Sequence, residues 1–132
     1  MKCMKIESAK ELVVYQKAYE RAMKAFELSK AFPAEVRYAL TGQIRRASRS
    51  VCLNLREAWA KRRYEAHFVS KLTDCDGENA ETDSCLDFAL DCGYIRRADY
   101  QLLTALSKEI GRLLGSMILH PQKWTSSPTS ER

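Results

Sequence analysis

The residues of this chain best suited to chemistry are its arginines. Between Arg37 and Arg63 stand eight basic residues, Arg37, Arg45, Arg46, Arg49, Arg56, Lys61, Arg62 and Arg63, against one acid, Glu57. The stretch from Asp74 to Asp91 reverses the balance, with seven acids and no base. A guanidinium offers its donors in a planar fork that fits the oxygens of phosphates and carboxylates. The cationic stretch therefore suits a nucleic-acid backbone, or the carboxylates of the acidic stretch, whether in the same subunit or in a neighbour.

Constellations for catalysis are thin by comparison. Arg62 and His67 have the Arg-x4-His spacing of small all-helical ribonucleases, where such a pair stabilises a phosphorane and moves a proton, but one pair of this kind has little specificity. A di-iron bundle needs Glu-x-x-His on two helices, and neither His67 nor His120 follows a glutamate by three. Asp74-Cys75-Asp76-Gly77-Glu78 resembles the start of a calcium loop, yet its glycine comes two positions early. The cysteines number five and include no CxxC, which argues against a disulfide framework or a zinc ribbon. Neither a Gly-rich phosphate loop nor a Ser/His/Asp arrangement is discernible. The expectation is a protein without catalytic residues, metal or cofactor.

The arginines act together only if one element aligns them. The 132 residues contain 5 Gly and 3 Pro, too few turns for an all-β fold, and their number fits one domain. Hydrophobic periodicity predicts an all-α, antiparallel up-down-up-down four-helix bundle. The first helix is expected from Ser8, with Ser8-Ala9-Lys10-Glu11 as a capping box, to about Phe32, and its apolar seam is Leu12, Tyr15, Tyr19, Ala22, Phe26 and Ser29. Pro33 suits the first turn of the second helix, whose seam is Leu40, Ile44, Ala47, Val51, Leu55 and Ala58.

A third helix is expected from about Tyr64 to Asp91, stopping at Gly93, with Phe68, Leu72, Cys75, Asn79, Thr82, Leu86 and Ala89 on one face. Asn79 and Thr82 interrupt that seam and are expected to form a buried hydrogen-bonded layer that fixes register. The fourth, about Ala98 to His120, turns Leu103, Leu106, Ile110, Leu113 and Met117 inward. The domain reading is an N-terminal extension over 1–7, the bundle over 8–121 and a polar tail over 122–132, disordered from Thr125 onward.

At about 100° per residue, Arg45, Arg49, Arg56 and Arg63 fall within about 40° of one another, about 135° from the seam through Ile44 and Val51. Tyr38 and Cys52 lie on the same line, and Arg46 flanks it. Such a row can meet successive phosphates with little sequence preference, so Arg45, Arg46, Arg49, Arg56 and Arg63 are the candidate nucleic-acid-binding residues. The competing reading pairs these arginines with carboxylates of the third helix. The formal charge of +5 permits either. The absence of an apolar run of membrane length, and of a signal-peptide pattern at the start, leads to the expectation of a soluble cytoplasmic protein.

Four segments in order, ELVVYQKAYERAMKAFELSKAFP, RYALTGQIRRASRSVCLNLREAWAKR, LDFALDCGYI and EIGRLLGSMI, resemble the bacterial four-helix bundle proteins named after intervening sequences of 23S ribosomal RNA genes. That family includes relatives of the accessory variability protein of diversity-generating retroelements. The resemblance implies a homo-oligomer, a pentamer, without catalysis of its own, that binds nucleic acid and associates with a reverse transcriptase. Leu40, Thr41, Gln43 to Ala47, Asn54 and Glu57 match the family pattern. Cys52 and Leu53 depart from its Pro-Ser or Pro-Ala, and Arg56 and Ala58 from its Ala and Gly. Loss of the proline is expected to straighten the second helix, and Arg56 extends the arginine row. The acidic third helix is more charged than is usual in the family.

Overall fold

The computed structural model describes residues 5–125. Four helices make up the fold: α1 (Val13–Ser29), α2 (Gly42–Ala60), α3 (Glu65–Asp91) and α4 (Arg97–Leu119). Short 3-10 turns at Ala9–Glu11, Ala34–Val36 and Pro121–Lys123 and one π turn at Arg37–Thr41 complete it. Contacts between α2 and α3 run in reverse order along the two chains. Glu57 meets Lys71, the Val51 carbonyl meets the Cys75 thiol, and Arg46 meets Glu78 and Glu81. The pair is therefore antiparallel. No helix among the described residues is long and apolar enough to cross a membrane.

The expected seams of α2 and α3 are buried except for Leu40, which is half-buried in the π turn before α2. On α2 these are Ile44, Ala47, Val51, Leu55 and Ala58, and on α3 the seven residues from Phe68 to Ala89. The start of the bundle differs from expectation. Ser8 Oγ accepts from the Lys10 N–H at 3.2 Å, but this cap serves only the 3-10 turn, because Leu12 then adopts an extended ψ of 137° and α1 begins at Val13. Pro33 likewise precedes a 3-10 turn and a π turn, so the α-helical part of the second helix begins at Gly42. On α4 the buried face is Leu103, Ser107, Ile110, Leu114 and Met117, while Leu106 and Leu113 are half-buried at its edge.

The inward face of α1 is the largest correction. Val14, Ala18, Arg21, Ala22, Ala25 and Ser29 are buried, whereas Tyr15 and Phe26 are half-buried and Tyr19 is 54% exposed. Three of these six buried positions, Ala18, Ala22 and Ala25, are alanines. The tyrosines instead take the edge, where an apolar ring can pack while the hydroxyl stays in water.

A connection without Gly or Pro joins α2 to α3, through a turn in which the Tyr64 N–H donates to the Lys61 carbonyl at 3.0 Å. The end of α3 is a Schellman motif. Gly93 N–H donates to the Leu90 carbonyl at 2.9 Å, Tyr94 N–H donates to that of Ala89 at 2.8 Å, and Gly93 has φ +77°. Since a side chain is strained at that φ, Gly93→Ala is expected to lower the unfolding free energy by about 1 kcal/mol. The shift of the urea midpoint at constant m-value measures it, and no shift would contradict this role of the glycine.

Candidate nucleic-acid interface

Two apolar clusters fill the bundle, and a polar layer separates them. One surrounds Val51, Leu55, Phe68, Leu72, Ile110 and Leu114. The other surrounds Ala25, Ile44, Leu86, Ala89 and Leu103. Between them each helix contributes a buried polar residue: Arg21 from α1, Ser48 from α2, Asn79 and Thr82 from α3, and Ser107 from α4.

Arg21 is 0% exposed and stands at the centre of the layer. Its Nη1 donates to Asn79 Oδ1, and to Ser107 Oγ at 2.8 Å. Asn79 Nδ2 donates to the Ser107 carbonyl at 3.1 Å, and Thr82 Oγ1 donates to the Glu78 carbonyl at 2.8 Å. A Cβ on Gly111 would stand 3.3 Å from Asn79 Nδ2, so the glycine gives the amide its room. Burial pushes the Arg21 guanidinium down to about 10, against the opposing influence of Asp83 and Cys52, so it stays charged at neutral pH. Sequence reasoning missed this residue. The available signal was its position within about 60° of both Ala18 and Ala25 on the helix.

This layer holds α1 against the bundle and so sets the wall of an exposed groove between α1 and α2. The groove has a volume of about 420 Å³. Tyr15, Tyr19, Met23 and Phe26 line its α1 side, and Arg45, Arg49 and Leu53 its α2 side. The Tyr15 and Tyr19 rings stack with centroids 6.3 Å apart at 19°. The residues expected to form the core seam of the first helix thus include the aromatic wall that faces the arginine row. α2 runs unbroken through Cys52 and Leu53, with Cys52 buried and Leu53 turned outward to the groove.

The five candidate arginines separate into two groups. Arg45 is tied to α1: its Nε donates to Ser29 Oγ at 2.7 Å and its guanidinium lies 4.6 Å from the Phe26 ring centroid. Arg46 pairs with Glu78 at 3.2 Å and Glu81, which hold its guanidinium above the ordinary value by their hydrogen bonds. Those two are engaged within the chain. Arg49, Arg56 and Arg63 are exposed and form no ion pair among the described residues. Arg49 Nε donates to the Arg45 carbonyl at 3.0 Å, which aligns its guanidinium along the row. Tyr38, expected on the same line, stands instead in the π turn before α2 and is 93% exposed.

The constellations that suggested chemistry are not assembled. Arg62 stacks on Trp59, 4.1 Å from the ring centroid, and donates to its carbonyl, whereas His67 lies against Tyr64. Asp74 to Glu78 is a stretch of α3, so its carboxylates point around a helix instead of converging as in a loop. Burial raises the thiol of Cys52 to about 11 and that of Cys75 to about 12, leaving both protonated and unreactive at neutral pH. The tail from 126 onward and the first four residues lie outside the described residues.

The family model of the 23S rRNA-intervening sequence protein matches residues 10–116. No functionally curated protein matches the chain. Among solved structures, a protein of unknown function from Bacteroides thetaiotaomicron VPI-5482, assigned to the S23 ribosomal protein family, is 32% identical. It superposes with a TM-score of 0.73 over 80% of this chain and 98% of its own.

Proposed function

The chain belongs to the 23S rRNA-intervening sequence protein family, and we propose that it is a non-catalytic, homo-oligomeric nucleic-acid-binding accessory protein. The observation that carries the reading is the exposed pair Arg49 and Arg56 on α2, with Arg63 in the turn beyond its end and so off the expected helical row, all three free of carboxylate partners among the described residues while Arg46 is paired. Arg49 and Arg56 are two helical turns apart, about 10.5 Å, so one backbone can meet both. Contacts of this kind hold phosphates and leave base edges unread, which suits an accessory role. In the fuller form of the reading, implied by family resemblance, a pentamer presents RNA or cDNA to a reverse transcriptase of a diversity-generating retroelement.

The test is a titration of a 30-nucleotide RNA and a DNA of the same sequence, with mass followed by light scattering. Binding by an intact oligomer is the expected result. A second reading, an interaction scaffold, is favoured by one observation: the Arg46 pairs with Glu78 and Glu81 show that these arginines and acids can satisfy one another. An oligomer that binds neither nucleic acid at low salt would support the scaffold instead.

A further inference from the structure

We propose that the α1–α2 groove receives unpaired bases, so that this surface binds single-stranded nucleic acid in preference to duplex. The inference rests on the nucleic-acid reading and specifies its ligand.

Three features of the groove meet the requirements of a single strand. Its α1 wall is aromatic, with the stacked Tyr15 and Tyr19 followed by Phe26. Both charged residues that line it, Arg45 and Arg49, are cationic, and Arg56 continues the same face one step beyond. Its volume of about 420 Å³ is within the range that accepts flat organic ligands. Aromatic faces beside a positively charged track are what single strands need, since each base has a π-face to stack and each linkage a phosphate to neutralise. A duplex keeps those faces inside its own stack and can use only the arginines.

Arg45 and Lys30 lie over the Phe26 ring, so the aromatic faces left for bases are those of Tyr15 and Tyr19. Held there by Ser29, Arg45 puts a cation beside the aromatic wall, and the exposed Arg49 is the second cation that lines the groove. Tyr19 is the residue to remove, because it is half exposed and outside the buried core.

Fluorescence anisotropy compares a 20-nucleotide single strand with its duplex at one salt concentration, for the unaltered protein, Tyr19→Ala and Tyr19→Trp. The expected results are tighter binding of the single strand, a loss of roughly tenfold for that strand alone in Tyr19→Ala, and retention in Tyr19→Trp. Equal binding of both forms, untouched by Tyr19→Ala, would overturn the groove inference and leave the arginine track standing. Binding of neither form would overturn the track as well. A fall in oligomeric mass on Tyr19→Ala would assign the groove to a contact between copies and overturn the inference.

Discussion

Asn79→Ala is expected to destabilise the fold by about 3 kcal/mol, among the largest effects of any single polar substitution in the chain. The amide oxygen of Asn79 accepts from the buried Arg21 guanidinium, and its nitrogen donates to the Ser107 carbonyl. Hydrogen bonds to charged groups contribute about 1.5–3 kcal/mol, and removing the acceptor leaves a buried cation with less to satisfy it. Arg21 Nε and Nη2, both buried, have no hydrogen-bond partner among the described residues, so the charge has little in reserve.

Arg21→Met, which removes the charge and keeps much of the volume but leaves Asn79 Oδ1 without its donor, is expected to cost about 1–2 kcal/mol. In that background Asn79→Ala is expected to cost only about 1 kcal/mol. Urea unfolding of the four proteins at one protein concentration, so that assembly contributes equally, measures the coupling. Equal costs of Asn79→Ala in both backgrounds would show that the layer is not a unit.

Charge reversal of Arg49 and Arg56 together is expected to weaken nucleic-acid binding by about 100-fold at 0.1 M salt. Each arginine on a phosphate releases counterions, and each glutamate in its place adds repulsion. Arg46→Gln is the internal comparison. Arg46 is already paired with Glu78 and Glu81, so its loss is expected to change affinity by less than about threefold. Anisotropy titrations give the affinities and light scattering the mass. If the double reversal dissociates the oligomer while Arg46→Gln does not, Arg49 and Arg56 are interface residues and the scaffold reading takes over.

The parts of the fold that were legible in the sequence are those where hydrophobic size and burial coincide. Ile44, Val51 and Leu55 on α2, and Phe68, Leu72 and Leu86 on α3, mark their faces by size and spacing alone. On α1 the two signals diverge. Half of its buried positions are alanines, which periodicity weights lightly, while its largest rings sit at the edge because Tyr15 and Tyr19 have polar ends. The rotation that results put the aromatic wall of the groove into the expected core. It also hid Arg21, since an arginine is taken for a surface residue unless its buried partners are known.

Asn79 and Thr82 announced buried polar positions, but only three-dimensional contact joins Asn79 to Arg21, 58 residues away, and Arg21 to Ser107, 86 residues away, while Thr82 bonds to the Glu78 carbonyl of its own helix. The arginine row shows the same division. Its alignment on one helix face follows from the spacing of Arg49 and Arg56. Which members remain free depends on Glu78, Glu81 and Ser29, contributed by other helices. The helix starts were misplaced for a local reason. Ser8 and Pro33 were expected to open the first and second helices, but 3-10 and π turns intervene before the regular helices, and such turns have weak sequence signals.

The central claim, that the free arginines form a phosphate track, is tested most directly by the salt dependence of nucleic-acid binding. Affinity for a single strand is to be measured from about 50 to 300 mM salt, with the mass of the complex followed throughout. Three arginines in contact with phosphates give a log–log slope of about −2 for one subunit, and a steeper one if several subunits share the strand. A linear fall of that size, by an oligomer of constant mass, is the expected result. A slope near zero, or no binding at the lowest salt, would contradict it.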